Sequence, residues 1–212
     1  DHVHRHRHGR GRPLRSDLLS SNVPSADRPD PVSSGAVRTL PAMLPGYFWS
    51  RIPPRWRPAV LRLGLNWFPA YRATGARLLH VAADLKRIVV RLPLRRITRN
   101  GAGTMFGGSL YAAADPIYAL LIAANLGPAY IVWDKSAAIR YRKPGREALT
   151  AEFVVTDDDL AAIVRDVEAK GSCDRCFTAH FRDAAGVVHV EVDKTVYVAC
   201  KRHYKAKIGK TG

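Results

Sequence analysis

The sequence predicts an α+β fold in which an antiparallel sheet wraps one long buried helix. Three observations predict it. Residues 105–126 form the most apolar stretch of the chain, with Asp115 as its single charge, as a core helix requires. The segments after it alternate apolar and polar residues as half-buried strands do. The 212 residues can bury one substantial core without disulfide or metal staples, and one helix followed by a run of strands favours α+β over an alternating α/β order.

Taken in order, residues 1–45 read as a leader outside the fold, with His2, His4, His6 and His8 among arginines and then a Ser/Pro/Asp stretch that lacks hydrophobic periodicity. No apolar core of a signal peptide is visible in it. The domain is expected over 46–205. An amphipathic helix is expected over 54–71, packed on the domain through Trp56, Val60, Leu63 and Trp67, which recur at three- or four-residue spacing. Its apolar face and arginines also suit a membrane surface or an acyl-chain lid. Residues 77–82 and 87–94 are strand-like runs. The helix at 105–126 would be about 33 Å long at roughly 1.5 Å per residue. Pro116 interrupts it, so its apolar part after Asp115 falls short of a membrane span. Strands are expected over 130–141, 148–155, 176–182 and 187–198, with residues 183–186 turning the last hairpin. A helix over 158–169 would be capped by Asp157 or Asp158 and stopped by Gly171.

The net charge of +16 is uneven along the chain, because residues 47–100 hold 12 Lys and Arg against a single acid. Such a basic face attracts phosphates, an anionic membrane or nucleic acid, and charge alone does not choose among them. No nucleic-acid reading motif is present, so a nucleic-acid partner is disfavoured and peripheral membrane contact stays open. The three cysteines, Cys173, Cys176 and Cys200, are too few and too odd in number for a secreted disulfide framework and fit a cytoplasmic location. The C-x-x-C at 173–176 lacks a second pair and lies where a strand is expected, so neither a metal nor a redox role is assigned to it. No Walker loop or dinucleotide fingerprint occurs, and no cofactor is implied.

Residues 100–115, N-G-A-G-T-M-F-G-G-S-L-Y-A-A-A-D, are where chemistry concentrates. Gly107 and Gly108 at the head of the apolar helix would leave backbone N–H groups free at the positive end of the helix dipole. An acyl carbonyl could approach there, with its developing oxyanion stabilised by those amides. The pair could instead serve close helix–sheet packing. Two turns on stands Asp115, which burial among apolar neighbours would suit to general-base work. The same Asp followed by Pro116 could instead cap a restarted helix. Asp134 and Lys135, as strand neighbours, should point to opposite faces.

These residues resemble the hotdog-fold thioesterases of the phenylacetate-pathway type, whose pattern runs from an Asn and a Gly to His-Gly-Gly and then Asp along the central helix. N-W-F-P at 66–69, F-G-G-S-L-Y-A-A-A-D-P at 106–116 and V-W-D-K-S-A-A-I-R-Y-R-K-P-G-R at 132–146 are similar to a bacterial branch grouped with thioesterases as a domain of unknown function. The resemblance covers about residues 60–200. It implies a hotdog homodimer or higher homo-oligomer with sites between subunits and an acyl-CoA or acyl-carrier thioester as partner. The acyl carbonyl would lie near Gly107 or Gly108, Asp115 would activate water and Asn100 would orient the loop or the water. Phe106 stands where the pattern has His, after Met105, and both would line the substrate. Arg140, Arg142 and Lys143 could hold CoA phosphates.

The first expectation is therefore an acyl-CoA thioesterase-like hydrolase. A non-catalytic hotdog protein that binds an acyl chain or acyl-CoA is the alternative, and a basic module for nucleic acid or anionic lipid stands third.

Overall fold

The computed structural model describes residues 51–208; the expected leader over 1–45, with its His cluster, lies outside them. A 3-10 turn at Pro54–Trp56 leads into α1 (Arg57–Trp67) and α2 (Pro69–Ala73). Strands β1 (Arg77–Val81) and β2 (Arg87–Leu92) follow, then α3 (Gly107–Ala114) and α4 (Ile117–Leu126). The rest comprises β3 (Tyr130–Tyr141), β4 (Leu149–Val154), α5 (Asp157–Lys170), β5 (Ser172–Arg182), β6 (Val188–Cys200) and α6 (Lys201–Ile208). The six strands form one antiparallel sheet in the order β1-β2-β4-β5-β6-β3. The α3–α4 helix runs through the core against it, which is the hotdog architecture. Leu110, Ile117, Leu121 and Ile122 of that helix pack with Phe153, Phe181, Val192 and Val196 of the sheet. Residues 107–126 are long and apolar enough to cross a membrane by composition; here they form the core helix.

The central helix is two helices rather than one. Pro116 has no N–H to give to the turn before it, and the axis is interrupted at Asp115 and Pro116. The Tyr71 hydroxyl donates to the Ala113 carbonyl at this break, 3.0 Å away. Burial keeps that hydroxyl protonated by raising its pKa far above the ordinary phenol value.

The expected helix over 54–71 is likewise divided, because Phe68 is extended and Pro69 starts a new turn. Its packing face is also corrected. Leu61 and Leu65 are buried, whereas Trp56, Leu63 and Trp67 face outward, Trp67 at 70% exposure. Both stripes are apolar, so periodicity alone could not rank them; the aliphatic pair joins the core cluster with Leu78 of β1.

Helix α5 begins one residue early and is capped by Thr156 instead of an aspartate. Thr156 Oγ1 accepts from the Asp159 amide at 3.1 Å, and the Asp159 carboxylate accepts from the Thr156 amide at 2.9 Å. This reciprocal box satisfies two amides at once. Gly171, at φ +80°, ends the helix, a conformation that other residues adopt only with strain. Strand β5 starts four residues before the expected position.

Candidate functional site

Two of the cavities beside the central helix contain the candidate residues. The first, about 370 Å³, lies between α1–α2 and the α3–α4 break, walled by Leu61, Leu65, Phe68, Tyr71 and Leu120. Its one acidic residue is Asp115. The second, about 400 Å³, opens at the head of α3, where Asn100, Met105, Gly107, Arg142 and Lys143 meet.

Asp115 makes no side-chain cap to the following helix. Its Oδ1 accepts from Lys194 Nζ at 2.9 Å, and its side chain is 49% exposed while that of Lys194 is fully buried. The desolvated carboxylate expected from the apolar run is thus a half-exposed one paired with an ammonium. Lys194 Nζ also lies 3.1 Å from Asp134 Oδ2 and 5.4 Å from the centroid of the Tyr111 ring. Burial is the largest influence on Lys194 and acts to lower its pKa, but Asp115 and Asp134 together outweigh it and hold the ammonium above the ordinary lysine value. Burial pushes the Asp134 carboxyl up, against the pull of Lys194. Lys135, on the opposite face of β3, pairs with Asp174 at 2.5 Å.

Lys194 is absent from the residues singled out in the sequence, yet a signal for it exists. Along β6 the inward positions are Val190, Val192, Lys194, Val196 and Val198, all buried. A lysine in the buried register of an alternating strand asks for a buried acid.

At the head of α3, Gly107 and Gly108 supply first-turn amides that the helix itself cannot satisfy. They are not bare. A Cβ on Gly107 would sit 2.6 Å from the Tyr141 hydroxyl, and one on Gly108 would sit 2.5 Å from the Phe106 ring. Asn100 organises the loop before the helix: its Oδ1 accepts from the Ala102 and Thr104 amides, each at 3.0 Å. Met105 is buried beneath the groove and Phe106 is exposed. The Arg140 guanidinium is bound to Glu191 and Asp193 of the neighbouring strand. Arg142 and Lys143 do line the groove, with Arg142 3.4 Å from Glu191. Cys173 packs against the core cluster and Cys176 is exposed on the same strand.

His189 braces the groove's outer loop, lying 3.1 Å from the Pro144 carbonyl and 2.8 Å from Asp183 Oδ2. The His189 hydrogen bond, with help from the Val187 amide and against burial, holds the Asp183 carboxyl below its ordinary pKa. A carboxyl depressed in the folded state contributes stability that is present above its unfolded pKa and is lost as pH falls through the folded one. Asp183→Asn is therefore expected to flatten the decline of the denaturation midpoint below about pH 4. A variant that follows the wild-type curve there would remove this bond from the acid limb.

The family described as Domain of unknown function (DUF4442) matches residues 59–198. The chain belongs to the DUF4442 family. Among solved structures the DUF4442 domain is similar to a Pseudomonas aeruginosa protein of unknown function described as a probable thioesterase. The two are 15% identical, with 67% of this chain and 95% of that one covered and a TM-score of 0.57. A protein of unknown function from Chlorobaculum tepidum TLS aligns at 19% identity over 68% and 97% of the chains, with a TM-score of 0.57. A thioesterase from Haemophilus influenzae aligns at 16% identity over 66% and 88%, with a TM-score of 0.50. At such identities the likeness shows the hotdog fold. No curated protein matches the chain by sequence.

Proposed function

We propose that this DUF4442 protein hydrolyses an acyl thioester, carried on CoA or an acyl-carrier protein, with Asp115 as general base. The observation that carries the reading is the Asp115 carboxylate at the wall of an apolar cavity, turned to Lys194 instead of capping its own backbone. The acyl group enters that cavity, where apolar walls replace its hydration. Asp115 takes a proton from water as the water oxygen attacks the thioester carbonyl carbon. The carbonyl electron pair moves to oxygen, where the amides of Gly107 and Gly108 stabilise it. Collapse breaks the C–S bond, the thiolate recovers the proton from Asp115, and the carboxylic acid leaves.

Gly107 and Asp115 open onto different cavities of one protomer, eight residues or about 12 Å apart along the helix. The reading therefore pairs Asp115 of one protomer with the glycine amides of a second copy. Strand β3 supports this: it ends the sheet, pairs only with β6, and carries Asp134 of the Lys194 cluster. Unpaired edges of this length invite a second strand. Arg142 and Lys143, beside the glycine groove, face the carrier phosphates. The three cysteines are free, which fits a reducing, cytoplasmic setting.

A panel of acyl-CoAs from acetyl to palmitoyl tests the reading, run on the wild type and on Ala112→Leu, which adds bulk to the cavity wall. Wild-type hydrolysis is expected, and the variant should lose kcat/KM by about tenfold or more on the longest chains it accepted while keeping the shorter ones. The Phe106 ring over Gly108 favours a second reading, an acyl binder without turnover. Ligand retained in native mass spectrometry with no hydrolysis across the panel would select it.

A further inference from the structure

Lys194 is the only buried lysine or arginine among the described residues, and stability alone does not account for it. An apolar side chain of similar volume at an inward sheet position serves folding as well or better than a buried ion pair. Two carboxylates meet Lys194: Asp134 of β3, with a side chain 20% exposed, and Asp115 at the cavity wall. Its cross-strand neighbours, Ala137 of β3 and Phe177 of β5, carry no charge, and the central helix adds the Tyr111 ring. Asp134 Oδ1 is buried without a hydrogen-bond partner. The Asp134 carboxylate is thus committed to the ammonium through its other oxygen.

We propose that Lys194, anchored by Asp134, is a positioning residue for Asp115: it grips Oδ1 and fixes the carboxylate against the cavity wall for proton abstraction. The inference rests on Asp115 as the base. An ammonium 2.9 Å away favours the charged carboxylate, and Asp134, a second negative charge at the same ammonium, opposes that effect. Removing one or the other must then move Asp115 in opposite directions.

The test compares kcat/KM against pH for the wild type, Lys194→Met and Asp134→Asn, on the best acyl-CoA. A parallel carbon-13 titration of the Asp115 carboxyl uses aspartate-labelled protein, with the signal assigned by its loss in Asp115→Asn. Lys194→Met is expected to move the acidic limb of kcat/KM upward, and Asp134→Asn to move it downward, with the carboxyl signal following in each case. Damage to packing alone lowers kcat without shifting either curve. Coincident curves in all three proteins, or shifts of the same sign, would overturn the inference. Should Lys194→Met fail to fold, the downward shift in Asp134→Asn decides alone, and its absence counts against the proposal. Full hydrolysis by Asp115→Asn would instead remove the base reading, while the carboxyl titration would still report whether Lys194 controls Asp115.

Discussion

Replacing Asp115 with Asn is expected to lower turnover of the best acyl-CoA by about a hundred- to ten-thousandfold, the range general-base catalysis supplies, while the protein keeps its fold and assembly. Asparagine matches the shape of aspartate, and its amide oxygen can still accept from Lys194 Nζ, so the 2.9 Å contact has a neutral counterpart. What disappears is the capacity to take a proton from water. Because the side chain is half-exposed at the cavity wall, the substitution opens no hole in the core. The thermal midpoint of Asp115→Asn should stay near the wild-type value, and this separates lost chemistry from lost folding. Single-turnover measurements at saturating acyl-CoA isolate the chemical step from product release. Turnover equal to the wild type would end the role of Asp115 as base.

The strands were legible wherever one face is buried and the other wet. Tyr130–Tyr141 falls on the expected range, and β6 alternates from Val190 to Val198, where period-two burial writes itself directly into residue type. The helix Arg57–Trp67 was legible as a helix but not in its orientation. Trp56, Leu63 and Trp67 make one apolar stripe and Leu61 and Leu65 another, and only the space left beside β1 selects the second. The cap of α5 was misplaced because Asp157, Asp158 and Asp159 all suit a first turn; the Thr156 hydroxyl, bonded with Asp159, decides it. In the candidate site, Asp115 and the glycine pair stand in a short contiguous segment and could be found by type and spacing, and Asn100 by the family resemblance. Lys194 is 79 residues from Asp115 and Asp134 lies on a third element, so their union is a property of sheet order. Likewise, the pairing of Arg140 with Glu191 and Asp193 follows from the β3–β6 register and is not visible in local sequence.

Lys194→Met alone is expected to destabilise the protein by about 3–5 kcal/mol, the cost of leaving one member of a buried ion pair without its partner. The loss falls on Asp134 more than on Asp115. Asp115 is half-exposed and can recover hydration, whereas Asp134 is largely enclosed and already has one oxygen without a partner. A second substitution, Asp134→Leu, removes the stranded acid, so the double variant should regain most of the loss; replacing both members of a buried pair by apolar groups is often neutral. Asp134→Leu by itself leaves Lys194 with Asp115 at 2.9 Å and is expected to cost less than Lys194→Met. Urea denaturation of the four proteins gives the coupling directly. A Lys194→Met variant that loses under about 1 kcal/mol, or a double variant no more stable than Lys194→Met, would mean that the ammonium is not what makes a buried carboxylate at Asp134 tolerable.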